Sequence, residues 1–377
     1  MTIVKIIQSL DFGGIEKVFE VVAKYDLNNR EQITFLVLGK GGAAETYIRN
    51  LGYRVIVLGS PTRIPQLSLI WKVYRFLTSE RPDLVHCTGA EANFHGIIAA
   101  YMAGIPGRVA EEIGMPAHSR VAQHVFRQVF KLSHKVIAVA GPVKKYLADS
   151  KEAPLYKLEV IYNPVDVDTF LGAQIAGADA MERSVPGGKR PGEGKRIISV
   201  CRLHPIKNLD SLILAFSAAA RVIPEPLEYW IIGDGEERGR LEKLVEELKL
   251  QGKVVFWGYK QDPSSYLAAS DLFVLPSFSE GHPVSVIEAM LTGLPCIVTN
   301  VGGAPEFIEE GVNGWLMDPL DKDALAAMLS DILQMPRALL AGMGEKGRKK
   351  VLSQFRPEIY LKAVYSLYAS VLPPHKK

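Results

Sequence analysis

Short apolar runs alternate with amphipathic stretches along most of the chain. Residues 2–8 form an apolar run around Ile3, Val4, Ile6 and Ile7, and runs at Gln32–Leu38, Arg54–Leu58, Leu84–His86, Arg108–Ala110 and Lys135–Val139 repeat the pattern. Between them apolar residues fall at helical spacing, first in Ile15-Glu-Lys-Val-Phe-Glu-Val-Val. Such runs predict strands buried on both faces, and their alternation with helices predicts a parallel sheet covered on both sides. The alternation restarts at Ile197–Cys201 and continues through Glu228–Ile232, Val254–Trp257, Leu272–Leu275 and Cys296–Thr299. From Leu171 to Arg196 periodicity lapses, and Val185-Pro-Gly-Gly-Lys-Arg-Pro-Gly reads as a linker. The expected fold class is therefore α/β, with two doubly wound Rossmann-like domains facing across a cleft: residues 1–170, a linker at 171–195, and residues 196–356. Leu339 to Leu372 reads as terminal helices broken before Pro357.

Composition narrows the class. The 377 residues are 48% hydrophobic and 23% charged, as in a soluble globular protein. A net charge of +3 is too small to argue for a nucleic-acid partner. Cys87, Cys201 and Cys296 are far apart and read as reduced structural residues in a cytoplasmic setting, and neither they nor the histidines show zinc-ligand spacing. No apolar run approaches the ~18 residues of a membrane span, and Met1-Thr-Ile-Val-Lys-Ile-Ile reads as a first strand instead of a signal peptide.

One segment is locally basic. Residues 118–157 carry Arg120, Arg127, Lys131, Lys135, Lys144, Lys145, Lys151 and Lys157 against only Asp149 and Glu152. Val121, Val125, Phe126, Val129 and Phe130 fall between the charges mostly at helical spacing. This is either a core-facing helix with a solvated basic face, or a peripheral surface resting on anionic lipid or receiving a lipid-linked acceptor.

The chemistry concentrates after the strands of the second half. Ser279-Glu-Gly-His-Pro-Val-Ser-Val-Ile-Glu-Ala-Met290 follows the run ending at Pro276, at the carboxyl end of a parallel strand, where such sheets bind ligands. Gly281 permits a turn and Pro283 suits a helix start, so a helix from Pro283 to Leu291 would direct its positive end at an anion. Glu280 in the turn and Glu288 in the helix stagger two carboxylates beside that position. This arrangement suits a ligand with a phosphate centre and hydroxyls at both ends, such as a nucleotide-sugar. Arg202 and Lys207, in Arg-Leu-His-Pro-Ile-Lys-Asn, follow another strand and could clamp a diphosphate as a planar fork and a point charge. Gly13-Gly14 and Gly233-Asp-Gly235 lack the third glycine of a dinucleotide fingerprint and read as loops a ligand can approach closely. Asp166-Val-Asp168 could hold a divalent metal in a different architecture, but it follows Asn163-Pro164 at a domain edge, where Asp168 could cap a turn.

In this order these motifs resemble glycosyltransferase family 4, the group 1 retaining enzymes of the GT-B fold. The resemblance runs through Gly13-Gly14-Ile-Glu16, Ile161-Tyr-Asn-Pro-Val-Asp166, Arg202 with Lys207, Gly233-Asp-Gly235, Phe256-Trp-Gly258, Glu280-Gly281-His282-Pro283-Val284 through Glu288, and Gly302-Gly-Ala-Pro-Glu306. It implies a hexosyltransferase needing no metal or other cofactor, with a UDP- or GDP-sugar on the second domain and a glycan or lipid-linked sugar as acceptor. By the same resemblance Arg202, Lys207 and Glu280 are catalytic. Gly13, Gly14, Gly233, Gly258, Gly281, His282, Pro283, Val284 and Glu288 line the donor, with Glu288 on the ribose. The last helix, about 357–372, crosses back to the first domain. The family often carries a histidine near the reacting sugar where this chain has Ile113, in Val109-Ala-Glu-Glu-Ile-Gly114, so Glu16, His95 and Glu112 are the acceptor-side candidates. Two rivals remain. An epimerase or hydrolase of the same architecture would turn over donor alone, and a non-catalytic nucleotide-sugar binder would bind donor without turning it over.

Overall fold

The computed structural model describes residues 1–11, 13–116, 118–175 and 194–373. They form two compact units, Met1–Val165 with Phe355–Lys377, and Asp166–Gln354. In the first, strands β1 (Ile3–Ile7), β2 (Ile33–Val37), β3 (Arg54–Val57), β4 (Leu84–Thr88), β5 (Gly107–Glu112), β6 (Lys135–Ala138) and β7 (Leu158–Val160) form a parallel sheet in the order β3-β2-β1-β4-β5-β6-β7. In the second, β8 (Lys195–Val200), β9 (Leu227–Ile232), β10 (Val254–Gly258), β11 (Leu272–Leu275), β12 (Cys296–Thr299) and β13 (Gly314–Met317) run in the order β10-β9-β8-β11-β12-β13, again parallel. Each sheet starts in its middle and winds outward both ways. The order reverses between β1 and β4 in one unit and between β8 and β11 in the other, and at such a reversal adjacent loops diverge and leave room for a ligand.

The central strands are buried on both faces, which is why they read as largely apolar runs, broken in β1 only by the buried Lys5: all five residues of β1 are buried, as are all four of β11 and of β12. The edge strands β7 and β13 do not stand out in the sequence. The first has only three residues and is half-buried, and the second opens on a glycine. Strand β5 extends two residues past the apolar run, through Glu111 and Glu112, both buried.

The boundary between units falls earlier than residue 170. Val167–Ile175 is a helix packed on helices Ser264–Ala268 and Val284–Leu291, with Phe170 buried, so the first five residues assigned to a linker are helical. Residues 176–193 of that linker lie outside the described residues. Asp166, not Asp168, makes the cap: its carboxylate accepts from Thr169 N at 3.3 Å and Thr169 Oγ1 at 2.8 Å.

The helix Pro357–Val371 returns to the first unit. Tyr368 Oη lies 2.7 Å from His86 Nδ1, and Tyr365 donates to Asp26 at 2.5 Å. In the basic segment, helix Arg120–Leu132 buries Phe126, Val129 and Phe130. Arg127 donates to the carbonyls of Ser150 and Lys151, and Lys157 to those of Phe130, Lys131 and Ser133 at the end of that helix. Lys135 pairs with Glu159 and Lys145 with Asp149, each at 2.7 Å. These four of the eight cations thus have partners within this unit.

Candidate functional site

The loops after β8 and β11, neighbours at the reversal of the second sheet, are tied together by three contacts. Phe278 N donates to the carbonyl of Ile206 at 2.8 Å, and Asn208 Nδ2 to that of Pro276 at 3.1 Å. The third is an ion pair, Lys207 Nζ to Glu280 Oε1 at 2.7 Å. Lys207 ends a single 3-10 turn, Pro205–Lys207, and Asn208 follows it in the left-handed region at φ 54°. Asparagine tolerates that conformation better than most residues, and Ser211 Oγ donates to its side-chain oxygen at 2.7 Å. Together these fix where the ammonium group sits.

Glu280 is held as firmly. Its Oε1 also accepts from Ser277 Oγ at 2.6 Å, while Oε2 has no hydrogen bond among the described residues. The side chains of Lys207 and Glu280 are 19% and 12% exposed, so the pair is only partly screened by water. Backbone contact fixes this loop from the other side. Gly303 N donates to the Gly281 carbonyl at 2.8 Å, and a Cβ at Gly302 would lie 1.9 Å from the Glu280 carbonyl oxygen. A similar approach brings in the β9 loop: Gly233 sits at φ 136°, and a Cβ there would fall 1.9 Å from the Cys201 carbonyl oxygen. Gly233 N donates to the Gly258 carbonyl at 2.9 Å, so the ends of β8, β9, β10, β11 and β12 form one continuous rim.

The helix Val284–Leu291 starts directly after this rim, with Pro283 at its N-cap position and no side chain capping it. Its first amides therefore face outward without a competing carboxylate or hydroxyl, the arrangement that suits an anion. Glu288 lies one helical turn past Val284 and is buried. The His282 ring is buried edge-to-face on Phe307, with centroids 5.8 Å apart. Burial drives its pKa down to about 3, so it has no positive charge to offer a phosphate at neutral pH. Cys201 is no nucleophile, since burial pushes its thiol up to about 12. Arg202 is exposed, and its guanidinium makes no hydrogen bond or ion pair among the described residues. The second unit thus joins Lys207 to Glu280 and Gly233 to Gly258 by direct contact, with Gly281, His282, Pro283, Val284 and Glu288 following Glu280 in the same segment and Arg202 in the loop after β8. Ser277, Asn208 and Gly302, which hold the charged pair in place, were not singled out from the sequence as site residues. Ser277 and Asn208 carry no charge to mark them, and Gly302 entered only within the Gly302-Gly-Ala-Pro-Glu306 motif.

In the first unit Gly13 and Gly14 open the helix Gly14–Tyr25 after β1. Glu16 is buried in its first turn and accepts from Ser9 Oγ at 2.9 Å. His95 is fully buried in the helix Ala90–Met102, with Nδ1 2.7 Å from the Glu91 carbonyl. Glu112 closes β5 and is buried. Among the described residues no three His, Cys, Asp or Glu side chains are grouped as metal ligands would be.

Comparison with known proteins agrees with this architecture. The family model "Glycosyl transferases group 1" matches residues 181–350, and "Glycosyltransferase Family 4" matches residues 12–169. The chain is 28% identical over 381 residues to the UDP-Gal:alpha-D-GlcNAc-diphosphoundecaprenol alpha-1,3-galactosyltransferase of Escherichia coli, covering 96% of this chain and 94% of that protein. It is 32% identical to the N-acetyl-alpha-D-glucosaminyl L-malate synthase of Bacillus anthracis, over 48% of this chain and 47% of that one. Among solved structures, Anabaena HepE in complex with UDP superposes with a TM-score of 0.83 at 22% identity, covering 98% of this chain and 100% of that one. A glycosyltransferase from Rickettsia africae gives 0.82 at 21% identity, covering 98% of each chain.

Proposed function

The chain belongs to the family 4, group 1 glycosyltransferases, and from that membership we propose that it is a retaining hexosyltransferase using a UDP-sugar donor and a lipid-linked sugar acceptor. The observation that carries the donor site is the Lys207–Glu280 pair at 2.7 Å, across the reversal between β8 and β11. A departing diphosphate gains negative charge as the bond to the sugar breaks, and fixed cations beside it stabilise that charge without reorganising. Lys207, Arg202 and the uncapped helix start after Pro283 are the groups for this role, with no metal needed. Glu280 Oε1 is taken by Lys207 and Ser277, which leaves Oε2 to accept a hydroxyl of the donor sugar. Glu288 is assigned to the ribose hydroxyls. Retention follows if the acceptor hydroxyl attacks on the face the diphosphate leaves, with a leaving phosphate oxygen taking its proton.

Two named proteins support the substrate classes. HepE was solved with UDP, and the Escherichia coli relative is named for moving galactose onto N-acetylglucosamine carried on diphosphoundecaprenol. The test is a thermal-shift and transfer panel of UDP-, GDP-, ADP- and CDP-sugars, run with and without EDTA. UDP-sugars are expected to stabilise the protein and transfer to survive chelation. Preference for another base, or strict dependence on a divalent ion, would overturn those parts of the assignment. Glu288→Ala is expected to weaken donor binding by about 1.5–3 kcal/mol, the range for a hydrogen bond to a charged group. Unchanged donor affinity in calorimetry, with the fold intact by circular dichroism, would remove the ribose role.

A further inference from the structure

The two glutamates that close β5 have opposite surroundings. Successive strand residues point to opposite faces, so Glu111 and Glu112 face different layers. Glu111 lies on the side of His86 and the last helix. Its Oε2 accepts from Thr88 Oγ1 at 2.8 Å and lies 3.2 Å from His86 Nε2. Burial alone would push this carboxyl up, but His86, Thr88 and Lys5 outweigh it and hold it below the usual range. Glu111 Oε2 is thus tied to neighbouring side chains, while its Oε1, buried as well, makes no hydrogen bond among the described residues.

Glu112 has only backbone amides as donors, with no side-chain partner. It shares a face with Ala110, in the layer that holds the main apolar core of this unit. Only 5% of it is exposed. The backbone N–H of Ile113 donates to Oε1 at 3.2 Å, and Oε2 makes no hydrogen bond among the described residues. A buried carboxylate oxygen without a donor is costly unless something completes it. The residue sits at the carboxyl end of a central parallel strand, where these sheets bind ligands, and the half-exposed residues 113–116 follow it. The charged groups facing it are His118 and Glu152, from the segments before helix Arg120–Leu132 and after helix Gly141–Asp149. They pair with each other, His118 Nδ1 to Glu152 Oε2 at 2.9 Å, with the His118 ring stacked on Phe126. Both act on the Glu112 carboxyl electrostatically, in opposite directions, and neither hydrogen-bonds to it.

We propose that Glu112 is the acceptor-binding carboxylate of the first unit, its Oε2 taking a hydrogen bond from a hydroxyl of the acceptor sugar beside the His118–Glu152 pair. This rests on the glycosyl-transfer reading above and adds to it the group that recognises the acceptor. A hydroxyl donates most strongly to the ionised carboxylate, so recognition depends on the charge state of Glu112. Burial raises that carboxyl to about 7, with the Glu152 charge adding to the rise and His118 and the amides of Ile113 and Gly114 opposing it. Acceptor kcat/KM should therefore rise with pH through about 7 and then level. The stability effect runs the other way. The folded value lies above that of an unfolded glutamate, so the neutral side chain contributes stability below about pH 4.5, and that contribution is lost as pH rises through about 7.

The experiment compares wild type with Glu112→Gln. UDP-galactose is the donor at saturation. The acceptors are N-acetylglucosamine-diphosphoundecaprenol and a panel of soluble aryl glycosides, from about pH 5.5 to about pH 9. Glu112→Gln is expected to lower acceptor kcat/KM at about pH 8 by roughly 10- to 100-fold, the range of a hydrogen bond to a charged group. Its rise through neutrality should flatten, while donor KM stays within about twofold. The variant should also gain Tm over wild type at about pH 8 relative to about pH 5. A variant that transfers with the wild-type acceptor kcat/KM and pH profile would overturn the role of Glu112 alone. A Tm difference equal at both pH values would overturn the buried, unpaired state it stands on. A wild type that binds UDP-galactose but transfers to no acceptor would overturn the transfer reading and this proposal with it.

Discussion

Lys207→Ala is expected to lower turnover at saturating donor by about two to three orders of magnitude, the usual loss on deleting one group that stabilises charge developing in the transition state. Two effects contribute and can be separated. Lys207 is placed to neutralise the leaving diphosphate, and it also holds Glu280 through the 2.7 Å contact. Without it, Glu280 keeps only the Ser277 hydroxyl on Oε1 and is free to turn. If holding Glu280 were its whole role, Lys207→Ala would cost nothing further once Glu280 is already Gln. The expected result is that the double variant falls well below Glu280→Gln alone, because the charge on the diphosphate still loses its partner. Arg202→Ala should act in the same direction. Its guanidinium is exposed and has no ion pair among the described residues, so its loss should leave the pose of Glu280 unchanged. Near-wild-type turnover for Lys207→Ala, measured with saturating UDP-sugar, would sink the diphosphate assignment.

The parts of this protein that were legible in the sequence are those where one physical requirement dominates. Central strands buried on both faces are dominated by apolar residues, so β1, β8, β11 and β12 appear as runs, and the charged residues that follow β8 and β11 stand out against them. The edge strand β7 escaped because partial burial does not enforce an apolar run, and β13 because it is only four residues long and opens on a glycine. Strand β5 was cut short because Glu111 and Glu112 look like the start of a polar loop. They are buried for reasons that only tertiary neighbours supply. The helix Val167–Ile175 is short and runs up to an alanine- and glycine-rich stretch, and its stability comes from packing on Ser264–Ala268 and Val284–Leu291. The devices that position the site were least visible. Ser277 and Asn208 are common residues whose roles exist only once two loops meet, and Gly302 stood out only as part of the Gly302-Gly-Ala-Pro-Glu306 motif, with no sign of its approach to Glu280.

Gly302→Ala is the second large effect, and it tests that positioning directly. Gly302 sits at φ 54°, where a side chain costs about 1–2 kcal/mol by itself. Its Cβ would lie 1.9 Å from the Glu280 carbonyl oxygen, 2.6 Å from that carbonyl carbon and 2.9 Å from the Gly281 oxygen. All three are backbone atoms that cannot swing away as a side-chain tip could. Relief requires moving the turn that carries Glu280 or breaking the Gly303–Gly281 hydrogen bond. The variant is therefore expected to lose about 2–4 kcal/mol of stability, within the range of overpacking with backbone strain. Its turnover should fall toward that of Glu280→Gln, although alanine adds no charge and removes no catalytic group. Gly342→Ala is the control: that glycine is exposed within the helix Arg337–Gln354 and has nothing within 4 Å of an added Cβ. Alanine there should be neutral or stabilising by up to about 1 kcal/mol, because it favours the helix. A Gly302→Ala protein with wild-type Tm and turnover would mean that the β12 loop does not press on the Glu280 turn. The Lys207–Glu280 pair would then need another source for its fixed geometry.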